Sequence, residues 1–256
     1  MHILLSNDDG ILAPGLAAMY RELLALGRVS VAAPESPQSA AAHGITVHGP
    51  VAVRRIHVHD AFTGYSVAGR PADCVKLAVT ELLDSPPDLV VSGINDGANV
   101  SINVLYSGTV AAAAEGALLG FPAVAVSLRQ GVERDFPQAA RIALPLIRTL
   151  LDRGLSSGQL VNINIPDLTA GPPRGVRIAP QATRMIEDKF VRHCAPDGRD
   201  YYWLTPGDFS HSPGGEQTDL DALNERFVAV TPLHFDLTRY AGLDDLRKWD
   251  WSLGED

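Results

Sequence analysis

The apolar positions of this chain fall into short blocks that alternate between two periods. Residues 2–6 (HILLS) form an apolar run that reads as a buried strand. The polar turn Asn7-Asp8-Asp9-Gly10 follows, then Pro14, which suits the first turn of a helix. Leu16, Met19, Tyr20 and Leu23 recur at i, i+3, i+4, i+7 and give that helix one apolar face. Gly27 stands where a C-terminal cap belongs, and residues 29–33 (VSVAA) make a second strand. A β-α-β unit this early predicts a parallel sheet.

The alternation continues. Residues 51–56 and 65–67 read as short strands, arranged as a hairpin beside the main sheet, and 71–83 (PADCVKLAVTELL) as a helix. Residues 88–92 (DLVVS) are a buried strand, 93–108 a long polar loop, and 109–119 (TVAAAAEGALL) a helix ended by Gly120. Strands at 123–128 and 160–165 flank a helix over 136–153. The expected architecture is a Rossmann-like, doubly wound α/β fold with a mostly parallel sheet. After about residue 183 the texture changes. The chain becomes more charged, with scattered aromatics and strand-like pieces at 201–204 (YYWL) and 227–233 (FVAVTPL). The expected division is a catalytic core over 1–183 and a C-terminal antiparallel extension over 184–256 that serves subunit contacts.

Composition narrows the function. No run approaches the ~18 uninterrupted apolar residues of a membrane span. The N-terminus has no basic region and reaches two aspartates by position 9, unlike a signal peptide, so a cytoplasmic protein that meets no membrane is expected. The net charge of −9 argues against a nucleic-acid duplex as partner. It also sets a problem for any anionic substrate, which a bound cation would solve. Cys74 and Cys194 lie in no C-x-x-C motif, and Cys74 falls in an apolar helical run as a core residue. The eight histidines lack zinc spacing; His57 and His59 share a strand face that reads as solvent-facing.

In an open parallel sheet, ligands bind beyond the carboxyl ends of the strands. Asp8 and Asp9 follow the first strand, Gln38 and Ser39 the second, and Asn95, Asp96 and Asn99 the strand at 88–92. Adjacent carboxylates repel one another unless they are exposed or share a cation, and hard divalent ions choose oxygen ligands. Two readings of Asn7-Asp8-Asp9-Gly10 therefore stand: a metal-binding loop, or a turn that caps the next helix. Ser107-Gly108-Thr109 opens the alanine-rich helix with hydroxyls and free N–H groups at its positive end. This turn reads as a phosphate site, as a helix cap, or as both. G-x-G-x-x-G, G-x-x-x-x-G-K-[ST] and G-x-S-x-G are all absent, which disfavours a nicotinamide dehydrogenase, a P-loop kinase and a serine hydrolase.

These blocks resemble the SurE family of survival-protein nucleotidases. The matching pieces are HILLSNDDGILAPG at 2–15, VAAPESPQSAAAHGIT at 31–46, GRPADCVKLAV at 69–79 and DLVVSGINDGANV at 88–100. YSGTVAAAAEG at 106–116, VNINIP at 161–166 and FVAVTPLHFDLT at 227–238 complete the set in family order. The resemblance implies metal-dependent cleavage of phosphate from nucleoside 5′- or 3′-monophosphates. It implies one Mg²⁺ or Mn²⁺ per subunit, held by Asp8, Asp9, Ser39 and Asn95. Phosphate contacts are implied at Ser107, Gly108 and Thr109, with Asn99 nearby. General-base chemistry on a phosphate ester then makes Asp8 and Asp9 the candidate catalytic pair, with Asp9 the one that orients or deprotonates the attacking water. A C-terminal arm that exchanges between subunits implies a homodimer or homotetramer. One departure concerns the metal-ligand serine. Many members carry an Arg-rich segment around it, whereas here the segment is Glu35-Ser36-Pro37-Gln38-Ser39-Ala40, with the serine kept and the positive charges gone. The stretch after Asn99, Val100-Ser101-Ile102-Asn103, is also less acidic than usual. Both departures bear on substrate preference.

Overall fold

The computed structural model describes residues 1–58, 61–183, 189–205 and 217–252. In chain order the elements are β1 (His2–Ser6), α1 (Pro14–Leu23), β2 (Arg28–Pro34), β3 (Val53–Val58), β4 (Phe62–Val67), α2 (Pro71–Leu77) and β5 (Leu89–Asp96). They continue as α3 (Gly108–Leu118), β6 (Ala123–Leu128), α4 (Phe136–Asp152), β7 (Leu160–Ile165) and β8 (Val176–Ile178). The last are β9 (Lys189–Cys194), β10 (Asp200–Thr205), α5 (Asp219–Asn224), β11 (Val228–Leu233) and α6 (Tyr240–Leu246).

Nine strands form one sheet in the order β3-β4-β2-β1-β5-β6-β7-β11-β8. The neighbours from β4 through β2, β1, β5 and β6 to β7 are parallel, and β3 and β11 are antiparallel to their partners β4 and β7. The five residues of β1 and the six of β6 and β7 are all buried, as central strands covered on both faces must be. On one face α1 and α4 pack over Ile3, Leu5, Val91, Val126 and Ile163. On the other α2 and α3 cover Leu4, Val90, Ala123 and Ala125, and the alanines of α3 let it lie close. Gly116 is one reason: a Cβ there would come within 2.7 Å of the Val90 Cβ. β1 lies at the point where the winding reverses. The chain goes from β1 to β2 on one side, then returns to place β5 on the other, which opens a crevice beyond the carboxyl ends of β1 and β5.

Several elements differ in extent from the sequence reading. The helix expected over 71–83 is regular only to Leu77, and a wider turn of helix carries it to Leu82. The stretch expected as a loop over 93–108 is partly ordered. β5 runs on to Asp96 through Gly93, whose φ of 141° and whose approach to the Val126 carbonyl exclude a side chain, and a 3₁₀ helix covers Ser101–Leu105. The β3–β4 hairpin forms, and β4 pairs in parallel with β2, so the hairpin extends the main sheet. His57 is exposed and bonds Thr63 Oγ1 at 2.9 Å; His59 lies outside the described residues. Cys74 is fully buried, and burial pushes its thiol pKa up, as befits an inert core residue.

The segment after residue 183 divides. β9 and β10 form a separate antiparallel pair, whereas β11 returns to the main sheet between β7 and β8, with α5 packed on it. The reason is β11's own pattern: Val228 and Val230 join the core layer under α1 and α4, and Ala229 joins a separate cluster with Leu220, Ala222 and Leu223 of α5, so this strand is apolar on both faces. Residues 184–188, 206–216 and 253–256 of the expected extension lie outside the described residues. Among the described residues no helix is long and apolar enough to cross a membrane.

Candidate active site

Three loops meet at the switch point. The turn after β1 carries Asp8 and Asp9. The Asp8 carbonyl accepts the Gln38 N–H at 2.8 Å, which ties down the loop after β2, and the Tyr106 carbonyl accepts the Ala42 N–H at 3.0 Å at that loop's far end. Ala40 and Ala42 adopt positive φ, so the loop turns sharply between these two anchors. Ser39 is held there, exposed, one residue from the Asp8 anchor.

Asp8 is buried, and its Oδ1 accepts a hydrogen bond from the Thr109 hydroxyl. Burial raises its pKa to about 6; the Thr109 bond opposes the shift and the neighbouring Asp9 charge adds to it. Asp9 Oδ2 accepts the Asp96 N–H at 2.9 Å, and its pKa too is raised, by burial first, against that N–H, with the Asp96 charge contributing. Asp96 is itself paired with Arg134 at 3.0 Å. Asn95 donates its amide N–H to the Gly97 carbonyl at 2.7 Å, which leaves Oδ1 as the end that can accept or ligate. Asp8, Asp9 and Asn95 are thus brought to one crevice, with the Ser39 loop clamped to its edge.

The turn that opens α3 lies against the same carboxylate. Ser107 caps α3, its Oγ accepting the Val110 N–H at 3.0 Å, so its own O–H hydrogen stays available to another acceptor. Gly108 abuts Asp8: a Cβ at this position would lie 2.7 Å from the Asp8 Cβ and 2.9 Å from its Oδ2, so only glycine lets the helix start this close to the acid. Thr109 is fully buried, and its hydroxyl hydrogen goes to Asp8. The resemblance assigned Thr109 to phosphate; in the structure its hydroxyl supports the carboxylate. Since Ser107 and not Thr109 supplies the cap, Thr109→Val should keep α3 and remove one charge-assisted hydrogen bond. Such a bond is worth about 1.5–3 kcal/mol, so turnover should fall by about tenfold or more. A thermal melt beside the rate assay checks this; a variant of wild-type rate would show that the bond does not matter to the reaction.

Asn99 is fixed from below. Its Nδ2 donates to Ser127 Oγ at 2.8 Å, its N–H to Asn164 Oδ1 at 2.8 Å, and its carbonyl accepts from Asn162 and Asn164 at 2.8 and 3.1 Å. These three supports escaped the residue-level reading. Their signal was present, as polar side chains inside the otherwise apolar strands AVAVSL and VNINI. Glu115 was missed for the same reason. It is a buried acid on the alanine-rich α3, with Lys76 Nζ and His43 Nε2 each at 2.9 Å. It ties α3 to α2 and to the loop that carries Ser39.

A doubly wound α/β protein with an acidic crevice and a helix N-terminus at its switch point is the class that fold and site define. The family model "Survival protein SurE" matches residues 3–188. The chain is 43% identical to a protein named 5′-nucleotidase SurE from Syntrophobacter fumaroxidans, over 98% of this chain and 100% of that one. It is 47% identical to the protein of the same name from Desulfitobacterium hafniense, over 97% and 96%. The crystal structure of the SurE protein from Aquifex aeolicus superposes with a TM-score of 0.83 at 34% identity, covering 96% of this chain and 98% of that one. The chain belongs to the SurE family.

Proposed function

We propose that the protein is a divalent-metal-dependent phosphomonoesterase that hydrolyses nucleoside 5′-monophosphates, and 3′-monophosphates in addition, to nucleoside and inorganic phosphate. The observation that carries this reading is the junction of Asp8 with the start of α3 through Thr109, which sets an acidic pair against a helix N-terminus. The relatives named 5′-nucleotidase support the substrate class.

The residues present fit a hard cation. Asp8, Asp9, Asn95 and Ser39 offer only oxygen donors, and no lysine or arginine is among the groups that shift the two aspartates. These four would hold one Mg²⁺ or Mn²⁺ per subunit. When bound, the ion supplies Lewis-acid charge that offsets the substrate's negative charge. The Ser107 hydroxyl and the Gly108 N–H, at the positive end of α3, bind the phosphoryl oxygens and stabilise the charge that develops on them, since the Val110 N–H is given to Ser107 Oγ and the Thr109 N–H to Asp8. Asp9 orients and deprotonates the attacking water with the oxygen that the Asp96 N–H leaves free. Thr109 keeps Asp8 in place.

Free phosphate, measured over a panel of nucleoside monophosphates with Mn²⁺ or Mg²⁺, tests the reading. Release of a nucleoside diphosphate from a nucleotide sugar would instead indicate a sugar transferase. A ligand left intact for hours would indicate a nucleotide sensor.

Further parts of the proposal are a cytoplasmic location, a catalytic core over 1–183 that β11 and α5 complete, and assembly as a homodimer or homotetramer through the rest of residues 184–256. The β9–β10 pair exposes Phe190 at 68% and Trp203 at 69%, α6 buries none of its residues, and an isolated hairpin is marginal in water. Burial against another subunit would cover these rings. Light scattering at micromolar concentration should show at least twice the 27.3 kDa chain mass, and Tyr202→Ser with Trp203→Ser should shift it toward monomer. A wild-type monomer would refute the assembly.

A further inference from the structure

A carboxylate outside the crevice holds one of the crevice's loops. Asp219, the first residue of α5, is fully buried, and no lysine or arginine pairs with it among the described residues. Its charge is met instead by main-chain N–H groups. Oδ2 accepts from Ser101 at 3.0 Å, and Oδ1 accepts from Ala182 at 2.9 Å and from Leu220 at 2.8 Å. Burial raises its pKa, these three N–H groups oppose the shift, and the Asp221 charge adds to it. The N–H of Asp219 goes to the Pro180 carbonyl at 2.9 Å, so the carboxylate sits on a fixed main chain.

Ser101 opens the 3₁₀ helix that leads through Tyr106 to Ser107. It is buried and adopts a φ of 57°, a region sparsely populated by residues with a side chain. Both of its main-chain polar groups are bound by side chains from distant segments: the N–H by Asp219, and the carbonyl by the Gln181 amide at 2.7 Å. Val100, beside it, is fully buried in one cluster with Leu220 and Leu223 of α5. A main chain in this conformation persists where the surrounding structure holds it, not through local preference. Asn99 is held from β6 and β7, so the first turn beyond it depends on Asp219.

We propose that Asp219 is a positioning residue for phosphate binding: by fixing Ser101 it sets the 3₁₀ helix that delivers Ser107 to the phosphate. It touches no substrate and acts through the main chain of a residue 118 positions away. The inference rests on the phosphomonoesterase reading, which puts Ser107 on the phosphate.

Asp219→Asn is a selective test. Oδ1 takes two N–H groups and Oδ2 one, so the amide oxygen stays with Ala182 and Leu220, and the new NH₂ faces the Ser101 N–H, donor against donor. Hydrogen exchange over residues 101–107 should speed up about tenfold or more. At saturating Mn²⁺, KM for a nucleoside monophosphate and Kd for inorganic phosphate should both rise about tenfold, with kcat changed much less. Thr218→Ala removes the side chain that caps α5 and does not touch Ser101. It should lower the thermal midpoint and leave KM and the exchange of 101–107 as they are. Equal rises in KM in the two variants would make Asp219 a structural residue only and overturn the proposal, as would unchanged KM, Kd and exchange in folded Asp219→Asn. If Asp219→Asn fails to fold by circular dichroism, the wild type decides: the Ser101 amide should exchange as slowly as those of β5, and fast exchange there would overturn the proposal. Wild-type protein that binds inorganic phosphate, loses affinity for it in Asp219→Asn, and releases phosphate from no nucleotide would keep the positioning role and defeat the hydrolysis reading.

Discussion

Asp8→Asn should abolish phosphate release while making the chelated protein more stable at neutral pH. The two effects share one cause, a carboxylate whose charge the fold alone does not compensate. Asp8 is buried beside Asp9, with a pKa raised to about 6 against an ordinary value of 3.8. A carboxyl with its folded pKa above its unfolded value binds its proton more tightly when folded. Its favourable contribution is complete below about pH 3.8 and is lost as pH rises through about 6. At pH 7 the deficit approaches about 3 kcal/mol. Asparagine keeps the shape without the charge. In excess chelator the stability difference between Asp8→Asn and wild type should therefore be small at pH 4 and grow in favour of the variant, to at most about 3 kcal/mol, by pH 7. Repulsion between the new NH₂ and the N–H groups at the start of α3 will reduce the gain. Turnover should fall about 10³-fold or more, the scale of losing several kcal/mol of charge stabilisation at the reacting phosphate. Urea unfolding at the two pH values and a phosphate assay check both halves. A variant less stable than wild type at pH 7 in chelator would show that the carboxylate is already compensated within the fold.

The second large effect is the response to metal. Phosphate release should stop after bound ion is removed with EDTA and return with Mn²⁺ or Mg²⁺. The ion should stabilise the fold by about 2.7 kcal/mol at a hundred times its dissociation constant, since it binds the folded crevice and not the open chain. Proton and ion compete for Asp8, so the concentration of ion for half-maximal activity should rise as pH falls below about 6, approaching tenfold per unit. Titrations of Mn²⁺ at pH 7 and pH 5 measure this directly. Turnover unaffected by exhaustive chelation would remove the metal from the mechanism.

Much of this arrangement was legible in the sequence. The apolar runs of β1, β5, β6 and β7 identified central strands because a strand covered on both faces has no polar position to spare. Alternation of strands with helices of 3.6-residue period fixed a parallel, doubly wound sheet, and the rule that ligands sit beyond strand ends gathered Asp8, Asp9, Ser39 and Asn95 without any coordinates. Local chemistry also placed Ser107 and Thr109 at the start of α3, because a hydroxyl before an alanine-rich run is a helix start.

Tertiary structure decided what depends on distance between segments far apart in the chain. Thr109 supports Asp8 because α3 starts against the β1 turn, a contact 101 residues apart that Gly108 permits and periodicity does not encode. Asn99 is held by Ser127, Asn162 and Asn164 because β6 and β7 align those polar positions beneath it. β11 belongs to the main sheet and not to the extension, because its two apolar faces are satisfied only between β7 and the helices on either side. Charge followed the same division. The sequence supplied two adjacent carboxylates, and only burial of Asp8 under α3 raised its pKa to about 6, since desolvation depends on what the fold brings over a residue and not on its neighbours in the chain.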